Sequence, residues 1–199
     1  SFSYIGVRAF FVISGYLIFQ SAQRSKGFFD YFKKRSLRIF PALFVVLLLT
    51  ILFIPFVYNS LTPLFSNSSY LSYLPNNMSL LHIQMQVDGV FNDNPYPSTI
   101  NGCLWTLPYE FLLYILTSSF ILLQNKPKVS FVLTVFTFLG LLLVRTFYFE
   151  EINIYGFYAI KGSDFIDLAL FYSAGSLIAA LGALKVKLPN VVLYTSLLL

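Results

Sequence analysis

The sequence predicts an all-α fold, a polytopic bundle of membrane helices with five complete transmembrane helices and the start of a sixth. Hydrophobic residues make up 57% of the chain and charged residues only 11%, and the mean hydropathy is +0.75. These values lie far outside the range of soluble globular proteins. Several apolar stretches approach the roughly 20 residues that a helix needs to cross about 30 Å of hydrocarbon. Helices are expected because lipid offers no hydrogen-bond partner to an open backbone.

The boundaries of the predicted helices follow from these apolar stretches. The five complete helices are placed at Tyr4–Ala22, Ile39–Tyr58, Leu104–Leu123, Val129–Tyr148 and Phe165–Leu184, and a sixth opens near Pro189. Because the chain begins almost directly on one apolar segment and stops inside another, we expect residues 1–199 to form a single partial membrane domain that is truncated at both ends.

The loops between these helices differ in charge. Short cytoplasmic loops are enriched in Lys and Arg, and basic residues fill alternate loops here. We therefore expect a multi-pass protein of the inner (cytoplasmic) membrane with Ser1 on the outer face. The net charge of +5 is explained by this rule and gives no argument for nucleic-acid binding. The residues concerned are Arg24, Lys26, Lys33, Lys34, Arg35 and Arg38 in the first basic loop, Lys126 and Lys128 in the second, and Lys185 and Lys187 in the third.

The second helix is preceded by a basic and aromatic segment. Arg35 and Arg38 are three residues apart, so they share one face of a helix. Two guanidinium groups on one face can bind phosphate oxygens bidentately. The aromatic residues of Phe28–Phe32 make the segment amphipathic, and it could lie along the cytoplasmic interface. A topology anchor is one interpretation of the arginine pair, and a site for a phosphorylated cytoplasmic donor is the other.

The outer loop Asn59–Cys103 is too long for a simple connection, yet its apolar pieces are too short to cross a membrane. We expect it to lie on the membrane surface or to re-enter between helices. Its Tyr and Asn residues suit a carbohydrate acceptor, although an interfacial loop that is merely solvated has the same composition. His82 is interpreted as an interfacial polar residue. The lone Cys103 indicates neither a disulfide nor a metal site.

The third helix carries Glu110 in an otherwise apolar run. An ionisable residue inside a membrane segment is a functional hypothesis by default. A structural alternative exists, because Pro108 is tolerated in a first helical turn and a carboxylate two residues later meets the positive end of the helix dipole. Trp105 and Tyr109 belong to the same outer level, where an aromatic belt or stacking on a sugar ring would explain them.

The fourth helix places Arg145 near its outer end. Snorkelling toward the headgroups is one interpretation of this residue. Pairing with Glu110 or with an acidic substrate is the functional alternative.

Three motifs together resemble the membrane acyltransferase-3 family. They are Gly6–Ile18 (GVRAFFVISGYLI), Lys34–Ala42 (KRSLRIFPA) and Asn101–Glu110 (NGCLWTLPYE), and they occur in the family's order. The resemblance covers roughly the first half of a family domain. It implies transfer of acyl groups, most often acetyl, from a cytoplasmic acyl-CoA to hydroxyl groups of sugars on lipopolysaccharide, exopolysaccharide or Nod factor.

The resemblance also implies roles for individual residues. Arg35 and Arg38 match an Arg-x-x-Arg motif that the family associates with acyl-CoA, and Glu110 matches its acidic position. Ser14 and Gly15 match a Ser-Gly pair, for which close helix packing is expected, and the role of Arg8 stays open. The family's catalytic histidine and its preceding arginine lie on a first helix that this sequence does not contain.

The predicted function is therefore O-acyl transfer across the inner membrane, with the bilayer, acyl-CoA and a saccharide as partners and with no bound cofactor or metal. Arg35 and Arg38 would bind the donor, and Glu110 would support the missing histidine from the acceptor's side, across the membrane from both arginines. Candidate acceptor-binding residues are Asn101, Trp105, Tyr109 and Arg145. The alternatives are a transporter or flippase-like component and a structural membrane subunit.

Overall fold

The computed structural model describes residues 2–80, 82–152, 156–157 and 160–184. Among them, five helices are long and apolar enough to cross a membrane, in agreement with the predicted fold class. The predicted sixth helix near Pro189 lies outside the described residues. The α-helices are α1 (Phe2–Arg24), α2 (Phe28–Val57), α3 (Ser68–Ser79), α4 (Leu107–Ser118), α5 (Pro127–Ile152) and α6 (Gly162–Ala183).

The helix α4 is only the middle part of its membrane span. Single 3₁₀ segments, Gly102–Thr106 and Ser119–Leu123, extend it at both ends, so that the whole span runs from Gly102 to Leu123. The predicted helix Leu104–Leu123 therefore covers nearly the whole span, but the change between 3₁₀ and α-helix along it was not predicted.

Large apolar side chains are exposed along the spans, as expected for surfaces that face lipid. On α5, the exposed fraction is 67% for Phe136 and 70% for Phe147, and on α2 it is 85% for Phe56. A helix that is apolar on its outward face as well as its inward face belongs in a membrane rather than at a water interface.

The helix α2 begins eleven residues before the predicted start at Ile39. The basic and aromatic residues before Ile39 do not form a separate interfacial segment but the first turns of the same helix. Asp30 stabilises this start, because it lies in the first turn and pairs with Lys34 at 2.7 Å. With 30 residues, α2 is about 45 Å long, which exceeds the roughly 30 Å of hydrocarbon.

The connection between α2 and α4 contains the helix α3, which the sequence did not predict. Asn67 caps α3, because its side chain accepts a hydrogen bond from the Ser69 N–H at 3.0 Å. The helix ends at Leu80, which adopts a left-handed conformation with φ 57°. The Ser, Tyr and Asn residues of this segment are weak helix formers, and Pro75 lies inside it.

Several amides of this connection are used to hold it together. Asn77 is fully buried, and its amide donates to the carbonyl groups of Tyr73 and Gln84 while it accepts from the Gln84 N–H. Asn76 also donates to the Gln84 side chain, at 3.0 Å. These side chains therefore stabilise the fold rather than present themselves to a carbohydrate.

The described helices group into two compact units. The first unit contains the residues up to Phe28, the range Leu116–Phe149 and the described residues from Ile166 onward. It therefore includes α1, the end of the α4 span, nearly all of α5 and most of α6. Phe19 packs edge-on against Phe120 in this unit, with ring centroids 5.1 Å apart.

The helices α1 and α6 approach each other closely in the first unit. A side chain at Gly15 would overlap the carbonyl oxygen of Tyr172, and a side chain at Gly175 would overlap that of Val12. Ser176 crosses the same contact and donates to the Gly15 carbonyl at 3.2 Å. The packing role expected for Gly15 is thereby confirmed, and Ser14 beside it is buried.

Two of the predicted basic loops meet in the first unit. The side-chain amide of Gln124, between α4 and α5, donates to the carbonyl groups of Ala22 and Ser25 at 2.7 Å each. The loop that carries Arg24 and the loop that carries Lys126 therefore lie at the same end of these helices, as alternate loops of a helical bundle should.

The second unit comprises residues Phe29–Ile115 and Glu150–Phe165. It contains nearly all of α2, α3 and the first part of the α4 span. Two short antiparallel strands, β1 (Gly156–Phe157) and β2 (Ile160–Lys161), form part of the connection from α5 to α6. The Lys161 N–H donates to the Tyr109 hydroxyl at 2.9 Å, which fixes this connection to the start of α4.

Candidate functional site

The Arg-x-x-Arg pair lies in the second and third turns of α2. Arg38 is exposed, whereas Arg35 is half-buried. Three-residue spacing puts both guanidinium groups on one side of the helix, so their charges act on the same region. Two guanidinium groups on one side of a helix are able to bind the oxygens of an anion.

Two buried tyrosines hold Arg35 in place. Its guanidinium carbon is 5.9 Å from the ring centroid of Tyr31 and 5.8 Å from that of Tyr114. Both tyrosines are fully buried, and the Tyr31 hydroxyl donates to the Tyr114 carbonyl at 2.9 Å. A guanidinium beside two aromatic faces is stabilised by cation–π attraction, and the Arg35 side chain is thereby pre-oriented.

Glu110 belongs to the same cluster. It lies in the first turn of α4, its residue is 6% exposed, and its carboxylate accepts the hydroxyl hydrogen of Tyr114. Arg35 and Arg38 are both close enough to act electrostatically on the carboxylate. We name Tyr31, Arg35, Arg38, Glu110 and Tyr114 the Arg35 cluster.

The expectation that Glu110 lies across the membrane from the two arginines is therefore wrong. The α4 span starts beside the middle of α2 rather than beside its end. The Asn101 amide donates to the Thr50 hydroxyl at 2.7 Å, and Thr50 lies seven residues before Val57, where α2 ends. The two helices then run antiparallel, and Phe111 meets Phe40 with ring centroids 6.3 Å apart. Glu110 lies nine residues after Asn101, which is about 14 Å along the α4 span. This distance, measured back along α2 from Thr50, brings Glu110 close to the level of Arg38.

The charges of the Arg35 cluster do not balance. Two guanidinium groups face one carboxylate, so the cluster has one excess positive charge and suits an anionic ligand. The electrostatic attraction is strengthened where hydrocarbon replaces water. Arg38 is the more accessible of the two cations, and Arg35 is the better fixed.

The candidate acceptor-binding residues near the start of α4 have other roles in the structure. Asn101 donates both amide hydrogens within the fold, to Thr50 and to the Tyr73 hydroxyl at 2.9 Å. Burial raises the pKa of Tyr73, so this hydroxyl stays neutral as an acceptor. Tyr109 is 2% exposed, and its ring is not accessible to a sugar. Trp105 packs edge-on against Tyr109 at 5.8 Å between centroids and is half-buried.

Arg145 lies in the first unit and forms its ion pair with Asp167, at 2.8 Å, rather than with Glu110. Arg8, whose role was open, pairs with the same carboxylate at 2.9 Å. Residues Arg8, Asp167 and Arg145 form a second charged group, which we name the Arg8 triad.

Sequence reasoning missed three residues of these two groups. Asp167 lies within a predicted membrane helix, and the rule that singled out Glu110 applies to it equally. Tyr114 follows Glu110 by four residues and so shares its helix face. Tyr31 gave no signal of its own, because the contact of its hydroxyl with α4 depends on tertiary packing.

Comparison with known proteins gives a consistent result. A family model described as an acyltransferase domain, of the acyltransferase-3 type, matches residues 1–199. An O-acetyl transferase of Shigella phage Sf6 is 37% identical over 141 residues, which are 69% of this chain and 41% of that protein. Nodulation protein 10 of Rhizobium leguminosarum bv. viciae is 59% identical over 44 residues, which are 22% of this chain and 12% of that protein. The chain thus spans less than half the length of these relatives. No solved structure matches it significantly.

Proposed function

Because the chain belongs to the acyltransferase-3 family, we propose that the protein of which it forms a part is a membrane O-acyltransferase that transfers an acyl group from acyl-CoA to a saccharide hydroxyl. The name of the phage relative, O-acetyl transferase, supports oxygen as the acceptor atom and acetyl as the transferred group. The family supports acyl transfer over the transporter and structural alternatives. The observation that carries the proposal is the Arg35 cluster, which joins the family's arginine pair to its acidic position.

The donor is proposed to bind through its phosphates at Arg35 and Arg38. Acyl-CoA carries phosphate oxygens at one end and its thioester at the other, so it needs cationic groups far from the reacting carbon. Arg35 is fixed between two buried rings, and less side-chain entropy is lost when a pre-oriented guanidinium binds a phosphate. The pantetheine arm would then carry the thioester away from the arginines and into the protein.

Glu110 is proposed to position the donor site through Tyr114. The carboxylate accepts the Tyr114 hydroxyl, and the Tyr114 ring lies against Arg35. Without the carboxylate, the Tyr114 side chain would no longer be held in place, and neither would the Arg35 guanidinium that lies against its ring. This role replaces the one first expected, in which Glu110 supported a histidine on the acceptor's side, because Glu110 lies with the arginines.

The transfer itself is proposed as attack of a sugar hydroxyl on the thioester. The hydroxyl oxygen forms a bond to the carbonyl carbon, the C–S bond breaks, and CoA leaves as a thiolate that takes up a proton. A general base removes the hydroxyl proton. The family resemblance assigns that base to a histidine on a helix that this sequence does not contain.

The acceptor is proposed to approach a groove in the α2–α4 connection. The groove has a volume of about 650 Å³, within the range of small-molecule sites. Gln86, Asn94 and Tyr96 line it, and Tyr96 is 79% exposed. Amides and an open aromatic face suit a saccharide, and this groove replaces Asn101 and Tyr109 as the acceptor surface. We further propose that the two basic loops face the cytoplasm across the inner membrane.

Donor binding tests the proposal directly. In the full-length protein reconstituted in lipid nanodiscs, Arg35→Ala combined with Arg38→Ala should weaken acetyl-CoA binding by about tenfold or more for each guanidinium lost, since hydrogen bonds to charged groups contribute about 1.5–3 kcal/mol. Equilibrium binding of radiolabelled acetyl-CoA measures the effect.

Lys34→Ala provides the matched control. Lys34 lies between the two arginines in sequence, is exposed and pairs only locally, with Asp30, so its loss should change the affinity by less than about twofold. Equal acetyl-CoA affinity in the double variant and the parent, at equal abundance in the membrane, would contradict the donor site.

A further inference from the structure

The Arg8 triad joins three helices of the first unit through one carboxylate. Asp167 accepts hydrogen bonds from Nε and Nη2 of Arg8 at 2.9 and 3.2 Å, and it forms an ion pair with Nη2 of Arg145 at 2.8 Å. The Asp167 side chain is only 5% exposed, whereas those of Arg8 and Arg145 are 33% and 34% exposed. The anion is therefore buried beneath two accessible cations.

An aromatic ring holds the two guanidinium groups on the same side of α6. Phe171 follows Asp167 by four residues and so shares its helix face. Its ring centroid is 5.1 Å from the guanidinium carbon of Arg8 and 5.8 Å from that of Arg145. The Tyr4 ring lies 5.0 Å from Arg8. Both cations are thus fixed by a carboxylate and by aromatic faces, which leaves them side by side.

The triad has more charge and more donors than its carboxylate can use. One arginine is enough to neutralise Asp167, so the three residues of the triad together have one net positive charge. Each guanidinium has five N–H donors. Of these ten donors, two from Arg8 are hydrogen-bonded to the carboxylate, and Arg145 contributes an ion-pair contact. A simple helix clamp needs only one arginine, so the second provides charge and donors for a further anionic group.

We propose that the Arg8 triad is a binding site for a phosphate group, with Arg8 and Arg145 as its donors and Asp167 as the group that orients them. Two fixed, neighbouring guanidinium groups match the geometry of phosphate oxygens. The phosphate is carried by a lipid headgroup or by a free molecule, and both present the same oxyanion.

The Arg8 triad belongs to the first unit, whereas the Arg35 cluster belongs to the second. Arg8 lies in the first third of α1, and Arg24 ends the same helix, near the two basic loops that meet through Gln124. The triad is therefore at the other end of α1 from those loops. The proposal requires no acyl transfer, so binding can be measured whether or not the protein is an acyltransferase.

Ligand-induced stabilisation tests the site. The full-length protein, purified in dodecyl maltoside, is heated with increasing dodecyl phosphate or inorganic phosphate, and the midpoint of unfolding is recorded. The parent should be stabilised in a saturable manner. Arg8→Gln combined with Arg145→Gln should weaken probe binding by about a hundredfold, which corresponds to roughly tenfold for each charged donor group. Arg24→Gln, an arginine at the opposite end of α1, should bind like the parent.

Asp167→Asn keeps the proposal testable if the double variant does not fold. This variant retains both guanidinium groups and removes the competing negative charge, so it should bind the probe more tightly than the parent. Weaker binding by Asp167→Asn, or equal binding by the parent and a folded double variant, would overturn the proposal. Protection by both probes assigns a free oxyanion, protection by dodecyl phosphate alone assigns a lipid headgroup, and protection by neither overturns the site.

Discussion

Tyr114 is the residue that turns two sequence motifs into one site. Its hydroxyl satisfies the buried carboxylate of Glu110, and its ring lies against Arg35. A carboxylate in an apolar environment is unfavourable without hydrogen bonds or opposite charges, and the Arg35 cluster supplies both. Glu110 is therefore stabilised by the groups whose position it controls.

Removing only the Tyr114 hydroxyl tests this coupling. Tyr114→Phe keeps the ring beside Arg35 and deletes the hydrogen bond to Glu110. We expect kcat for acyl transfer by the full-length protein to fall about tenfold, because a hydrogen bond to a charged group is lost, while the protein still inserts. Tyr148→Phe, at an exposed tyrosine on α5, serves as the control.

A purely structural role for Tyr114 makes a different prediction. In that case Tyr114→Phe would lower the unfolding temperature and leave kcat and KM unchanged, and the positioning role would be wrong.

The individual site residues could be predicted from the sequence to different extents. Glu110, Arg35 and Arg38 stood out by charge, spacing and motif. Their neighbours could not be assigned, because Glu110 was the carboxylate considered for Arg145 and nothing in the sequence identified Asp167 as its partner. Only packing of α1, α5 and α6 brings Arg8 and Arg145 to the same carboxylate.

At the scale of elements, the contact between α1 and α6 depends on small residues. Lipid tails are as apolar as leucine, so helices associate in a membrane mainly through close packing and hydrogen bonds. Gly15 and Gly175 let each backbone reach the other, and the Ser176 hydroxyl bonds across the contact. This contact places Ser14 and Gly15 of the first motif in a structural role.

One added methyl group tests the contact. Gly15→Ala should destabilise the protein by about 1–3 kcal/mol through overpacking, because the new Cβ would overlap the Tyr172 carbonyl group. Gly6→Ala is the matched control on the same helix, since no atom lies within 4 Å of the position its Cβ would occupy. Unfolding in detergent measures both variants, and equal midpoints for Gly15→Ala and Gly6→Ala would contradict the close contact.

Hydropathy predicted the positions of the membrane spans well, but it did not predict the exact helix boundaries or the depth of Glu110 in the membrane. All five membrane spans were predicted, because a run of about 20 apolar residues has few alternatives in lipid. The α2 start was missed because charged residues lie on a helix that extends beyond the apolar run. The helix α3 was missed because its many polar residues and Pro75 leave no clear helical periodicity of apolar residues. The depth of Glu110 was misjudged because residue counts along one span do not show where a neighbouring span begins.

At the scale of the whole molecule, two charged groups among the described residues each combine two arginines with one carboxylate. The Arg35 cluster belongs to the second unit and the Arg8 triad to the first, and each has one more cation than anion. Both are interpreted as anion sites, the first for the phosphates of a donor and the second for a phosphate group of another molecule. The chain spans less than half the length of the relatives that it matches.

The most direct test of the central claim is acyl transfer by the full-length protein with Glu110→Gln. Incorporation of the labelled acetyl group from acetyl-CoA into the envelope saccharide fraction of reconstituted membranes is measured at equal protein abundance. Glu110→Gln removes the negative charge that attracts Arg35 and Arg38, and we predict that it lowers incorporation by about 100-fold, since loss of positioning can have an effect of that size. Glu151→Gln, at an exposed glutamate on α5, should retain it. Equal incorporation by Glu110→Gln and the parent, or none by the parent, would contradict the account.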